Sequence, residues 1–117
     1  MKEQRIDSRL LCADLVPVEW TDLRGAKRQS DANLEDISAS GACLQVDEAV
    51  PPGSTIRIMH RRTTLTGMVK YCVYRDIGYF LGVQFDDETK WSPKLFKPMH
   101  LLDPRRLASR LMSRLDD

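Results

Sequence analysis

The sequence lacks the motifs that commonly mark metal sites and active sites. Its three cysteines, Cys12, Cys43 and Cys72, are far apart and show no C-x-x-C spacing. Neither of its two histidines, His60 and His100, has a cysteine, aspartate or glutamate at a ligand-like spacing. This pattern predicts reduced thiols that serve in packing, and no metal site. Because a glycine-rich phosphate loop and a G-x-S-x-G motif are also missing, we expect a binding protein and not an enzyme.

Long apolar runs and a strong net charge are missing as well. The longest apolar runs are too short to cross a bilayer, and the first residues, MKEQRIDSR, are charged where a signal peptide would be apolar. The 117 residues are 42% hydrophobic and 30% charged, with a net charge of +1. We therefore expect one soluble, cytoplasmic domain with no membrane span and no DNA partner, in which a local basic cluster meets any anionic ligand.

What the sequence does contain, up to Phe85, is a series of short segments typical of β-strands. Alternation places Ile56 and Ile58 on one face of a strand. It likewise predicts two further apolar faces, formed by Leu65, Val69, Tyr71 and Val73, and by Tyr79, Leu81, Val83 and Phe85. Pro-Pro-Gly chemistry predicts a turn at Val50–Ser54, and Pro17 indicates an edge or a bulge in the first strand. Strands with no helix between them predict an antiparallel barrel or sandwich.

After Phe85 the apolar period changes to that of a helix. Ser92 with Pro93, and then Asp103 with Pro104, are typical helix starts. Leucines recur every four residues between Leu107 and Leu115, opposite a face of arginines. Two interpretations stay open: a helix that packs on the barrel with its arginines in solvent, or a dimer contact or basic surface for a partner.

The segment LEDISASGACLQV, residues 34–46, is a strand that small polar residues interrupt. Alternation places Asp36 and Ser38 on one face, so that a carboxylate and a hydroxyl lie side by side, while Ile37 points the other way. Gly41 then permits a positive φ or a close backbone approach. The same residues are also typical of a plain turn, in which aspartate and serine bond their own backbone.

A pair of arginines precedes the first strand. Arg5 and Arg9 in RIDSR are four residues apart, a spacing that other arginines of this chain share. The first pair differs by its position on a polar lead-in, ahead of a D-x-S-x-x-G sequence that occurs once. The two motifs in this order are more specific than either alone.

The chain resembles PilZ domains in the type and order of its motifs, which are Arg5 and Arg9, then Asp36, Ser38 and Gly41, then the closing LGVQF. The resemblance covers about residues 4–87. It implies a six-stranded antiparallel β-barrel (a split barrel) followed by a helix, and a receptor for the bacterial second messenger cyclic di-GMP, with no other cofactor. It divides the chain into a flexible arm (1–10), the barrel (10–87) and a C-terminal helical extension (88–117).

The residue types suit that ligand. The planar fork of an arginine donates to the paired N7 and O6 acceptors of guanine and also binds phosphate. Arg5 and Arg9 are therefore expected to bind a guanine base and the cyclic phosphodiester of the ligand. Asp36 would accept from the guanine N1–H and exocyclic amine, Ser38 would bond a polar edge or phosphate, and Gly41 would admit the ligand to the backbone. Gln4 stands where many family members carry a basic residue, which leaves the ligand stoichiometry open.

Aromatic residues near the end of the barrel have two interpretations. Tyr71, Tyr79 and Phe80 offer a stacking face to a second base, or they belong to the core. Gly82 indicates a close backbone or ligand approach, or a bulge.

We expect the ligand to order the N-terminal arm against the barrel and so to create or hide a surface for a downstream protein partner. Motility and biofilm formation are processes that the resemblance suggests, and the chain is expected to be a monomer or homodimer. Two other hypotheses remain: an adaptor of the same fold that binds no nucleotide, and a barrel that binds single-stranded nucleic acid.

Overall fold

A computed structural model describes residues 10–60, 63–86 and 89. Within these residues the chain forms six β-strands and no helix. The strands are β1 (Leu10–Thr21), β2 (Lys27–Ile37), β3 (Gly41–Val46), β4 (Thr55–His60), β5 (Thr63–Arg75) and β6 (Gly78–Phe85). The mainly β class predicted from the alternating segments is confirmed.

The strands described close into an antiparallel barrel. Their order around it is β1-β2-β3-β6-β5-β4, and β4 pairs back with β1 through residues Val18–Trp20. Pro17 lies just before that ladder, so its missing N–H breaks none of the β1–β4 bonds described. The predicted six-stranded antiparallel barrel is thus confirmed.

The two ends of the chain carry predictions that the structure does not reach. The arm with Gln4, Arg5 and Arg9 lies outside the described residues, and so does the helix predicted within 88–117. Among the residues described, no helix is long and apolar enough to span a membrane.

The core fills the inside of the barrel with side chains from every described strand. Ile56, Ile58, Leu81, Val83 and Phe85 all face inward, as their alternation predicts. The other buried apolar residues are Val16, Val18, Trp20, Ala32, Leu34, Ile37, Ala42, Leu44, Val46, Val50, Leu65 and Val69. Functional groups on this barrel are therefore those that face outward.

The predicted apolar face of β5 is wrong in its second half. Leu65 and Val69 are buried, but Tyr71 is 43% exposed and Val73 is 40% exposed. The pairing with β6 shifts between Val69 and Tyr71, which leaves Lys70 as an extra residue, a β-bulge. One additional residue reverses the alternation, so Tyr71 and Val73 face solvent.

The turn predicted at Val50–Ser54 is confirmed by its hydrogen bonds. The Ser54 hydroxyl donates to the Pro51 carbonyl at 2.6 Å, and Gly53 has a φ of 92° that suits glycine. Gly53 N–H also donates to the Val69 carbonyl at 2.7 Å. The turn is thereby fixed to β5 directly before the bulge.

Candidate functional site

The D-x-S-x-x-G sequence forms the connection between β2 and β3. Ile37, with no exposed surface, anchors its first half in the core. Ser38 is 2% exposed, and both its N–H (2.8 Å) and its hydroxyl (3.3 Å) donate to the Gly41 carbonyl. This is the backbone bonding that the plain-turn interpretation requires of Ser38. Any contact between the Ser38 hydroxyl and a ligand stays a prediction.

Gly41 is required by the packing of the neighbouring strand. A Cβ atom at this position would lie 2.3 Å from the carbonyl oxygen of Val83 on β6. The φ of Gly41 is not in the left-handed region, so of the two reasons considered for this glycine the close backbone approach applies. The glycine of the motif therefore allows β3 and β6 to pack closely at this point.

Asp36 belongs to a row of outward-facing residues that crosses the sheet. Cys43 and Gly82 face outward because buried core residues flank each of them along its strand. Cross-strand pairing joins the members in the order Leu11, Asp36, Cys43, Gly82 and Tyr71. The distance from Asp36 to Tyr71 is three strand spacings, about 14 Å at about 4.8 Å each. The small residues Cys43 and Gly82 form the floor of this row, and Asp36 and Tyr71 on either side of them form its two walls.

A second bulge, in β2, changes the direction of the Asp36 side chain. The pairing of β2 with β3 shifts between Leu34 and Asp36, and Glu35 is the extra residue. Asn33 Nδ2 donates to the Glu35 carboxylate beside it. Bulges bend a strand and turn side chains to new directions. Both walls of the row, Asp36 and Tyr71, thus follow directly after a bulge.

A cleft of about 240 Å³ opens next to this row. Its lining residues are Ser38, Ser40, Gly41, Lys70, Tyr71, Gly82, Val83 and Gln84. It brings the turn of the D-x-S-x-x-G motif together with the bulge of β5, although these are distant in the chain. Hydroxyls, an amide, an ammonium group and an aromatic ring in one cleft suit a polar, anionic ligand with a flat ring.

Cys12 lies near the carboxylates of the site, and its pKa is raised. Burial raises the pKa of Cys12 from 9.0 to about 12, and the carboxylates of Asp36, Asp14 and Glu35 add to the rise. Cys12 and Cys72 pack against the core, as predicted for structural thiols, whereas Cys43 faces outward on the floor of the row. All three cysteines are described, and none of them forms a disulfide.

The predicted site residues divide into two groups. Asp36, Ser38 and Gly41 come together at one end of the β2–β3 hairpin. Arg5, Arg9 and Gln4 lie outside the described residues. The strand that follows Arg9 in the chain begins beside the motif, since Leu10 pairs with Ile37 and Leu11 pairs with Asp36. Within the described ranges no cluster of histidine, cysteine or acidic residues is arranged to hold a metal ion.

Lys70 and Gln84 line the cleft without having been predicted from the sequence. Lys70 reaches it through the β5 bulge, for which the local sequence gives no clear signal. Gln84 reaches it because β6 pairs with both β3 and β5. Gly82, Tyr79 and Phe80 had indicated that β6 contributes to a site, and of these three Gly82 lines the cleft.

The described residues thus form a small, closed antiparallel barrel with a polar cleft on its outer face. The family model for the PilZ domain matches residues 2–92, which is most of the chain, so the protein belongs to the PilZ domain family. No curated protein matches the chain. PilZ domains are in general binding domains for cyclic di-GMP.

Proposed function

We propose that this protein is a receptor for cyclic di-GMP that signals to another protein. The observation that carries the proposal is the position of Asp36 on the outer face, beside a cleft that the Ser38–Gly41 turn lines. The carboxylate suits the N1–H and amino group of guanine, and family membership supports the same ligand class.

The start of β1 supports a role for the N-terminal arginines. Because Leu11 pairs with Asp36, the peptide that joins Arg9 to the barrel lies close to the motif in the chain path. The planar fork of an arginine can bind both a guanine base and a phosphate. We therefore propose that Arg5 and Arg9 close over the ligand, and that Gln4 affects whether one ligand or a stacked pair is held.

The tip of the β5–β6 hairpin supports a protein partner. Tyr74 is 64% exposed and Ile77 is 70% exposed, and both lie near the outward-facing Val73. Apolar side chains clustered on a surface are typical of protein contacts. This cluster follows along β5 from Tyr71 at the cleft. A ligand in the cleft therefore lies next to a surface suited to a downstream partner, and the same cluster would serve an adaptor that binds no nucleotide.

Isothermal titration with cyclic di-GMP tests the proposal. We expect the parent protein to bind, and Asp36→Ala and Arg9→Ala to weaken binding by at least about ten-fold each, since each removes a hydrogen bond to a charged group. Asp47→Ala is the matched control and is expected to bind like the parent. Asp47 is exposed and follows the end of β3 that lies away from the Ser38–Gly41 turn.

Excess GTP should leave the titration unchanged, because it offers a single guanine and no cyclic diester. A flat titration of a folded parent protein would overturn the receptor function and favour the adaptor.

A further inference from the structure

The ring of Tyr71 occupies the space above Gly82. A Cβ atom on Gly82 would lie 2.0 Å from Cε2, 2.4 Å from Cζ and 2.5 Å from Cδ2 of Tyr71. One side of the ring therefore covers the glycine, where any side chain would displace it. Because the residue is still 43% exposed, the ring also presents surface to solvent at the cleft.

The bulge places a cation next to this ring. Val69 pairs with Val83 and Tyr71 pairs with Gly82, so Lys70 has no position of its own in the ladder. Lys70 is exposed and lines the same cleft as Tyr71. No ion pair involves Lys70 within the part of the chain that the structure describes. Its ammonium group is thus available to an anion in the cleft.

A flat ring and an ammonium group on adjacent residues match the parts of a nucleotide. Aromatic side chains bind bases by stacking, and a lysine binds phosphate as a point charge. Asp36 lies two strands from Gly82, on the opposite side of the floor. The two walls therefore have different chemistry, an acceptor for the guanine edge on one side and a stacking face with a cation on the other.

We propose that Tyr71 and Lys70 form a second contact site for the ligand, in which Tyr71 stacks on one base of the cyclic dinucleotide and Lys70 binds the adjoining phosphate. The proposal rests on the receptor function proposed above and assigns two binding residues to the cleft, on the side of the floor opposite Asp36. Gly82 is the positioning residue, since it leaves room for the ring to lie against the strand.

Titration of matched variants with cyclic di-GMP tests the assignment. We expect Tyr71→Leu to weaken binding about ten-fold, because leucine still covers Gly82 but does not stack, and Tyr71→Phe to retain most of the affinity. We expect Lys70→Gln to weaken binding several-fold at low salt, with a smaller loss at about 1 M salt, where charges are screened. Lys27→Gln, at an exposed lysine outside the cleft, should bind like the parent.

The NMR signals of the Tyr71 ring provide a readout that a purely structural role would not move. Stacking on a guanine should shift them upfield in the parent protein, and this measurement decides the matter if Tyr71→Leu fails to fold. Parent-like binding by the Tyr71 and Lys70 variants, with Arg9→Ala still defective, would overturn this assignment and leave the receptor function standing. A parent protein that does not bind would overturn both.

Discussion

Cys12 is the residue whose chemistry the site changes most clearly. Its pKa of about 12 arises first from burial and then from nearby carboxylates, with Asp36 the largest of these. Between pH 9 and 12 the folded protein keeps a proton that the unfolded chain releases. The thiol therefore contributes stability that is fully present below pH 9.0 and is lost as the pH rises toward about 12.

Substitution of Asp36→Asn should make Cys12 more reactive. With one negative charge removed, the pKa of Cys12 falls toward 9.0 and more thiolate is present at a given alkaline pH. Iodoacetamide labelling at pH 9, followed by mass spectrometry of the tryptic peptide of residues 10–24, measures the rate for this cysteine alone. Asp47→Asn is the control, and equal rates in the two variants would contradict the electrostatic explanation.

Among the strands, β5 has the largest influence on the site, through its bulge. Deletion of Lys70 should leave the protein folded, because Val69 and Tyr71 would then pair with consecutive residues of β6 in a regular ladder. We expect a change in Tm of no more than about 5 °C, equivalent to about 1 kcal/mol.

Deletion of Met68 is the matched control for this experiment. It removes a residue that pairs with both Thr55 and Gln84, and it would turn either Leu65 or Val69 out of the core. Loss of cooperative thermal unfolding is therefore expected for that variant. If the two deletions destabilise the barrel equally, Lys70 is not an extra residue in the ladder.

The bulges also explain how far the sequence predicts the structure. Alternation was sufficient for β4 and β6, where Ile56, Ile58, Leu81 and Val83 all face inward. It failed for Tyr71, because nothing in the residues near Lys70 distinguishes a bulge from a regular strand. Bulges depend on pairing between strands that are distant in the chain, which a local pattern does not record.

Only the part of the candidate site that lies on the β2–β3 turn was predictable from the sequence, because the other part depends on pairing between distant strands. Asp36, Ser38 and Gly41 form a short contiguous motif whose residue types already indicate a polar turn. The wall formed by Lys70 and Tyr71 requires knowledge that Cys43 pairs with Gly82, and Gly82 with Tyr71. These contacts join three strands and have no signature in sequence spacing.

For the molecule as a whole, the proposed signal is a change in the N-terminal arm. Saturating cyclic di-GMP should slow amide exchange in residues 2–11, because binding orders a charged segment at an entropic cost that its contacts offset. Mass spectrometry of exchanged peptides measures this directly. Residues Leu23–Ala26, at the β1–β2 turn on the far end of the hairpin, provide an internal control that should not change. Equal exchange in the arm with and without ligand would contradict closure.

The row from Leu11 to Tyr71 takes its members from β1, β2, β3, β6 and β5. A fragment of the barrel, or a partly unfolded one, does not assemble this row, so the proposed ligand would have affinity only for the complete fold. By mass action, each occupied molecule is then withdrawn from the unfolding equilibrium, and a ligand concentration of 100 times Kd adds about 2.7 kcal/mol to stability. The concentration of the messenger would thus set how long the receptor survives proteolysis as well as whether it signals.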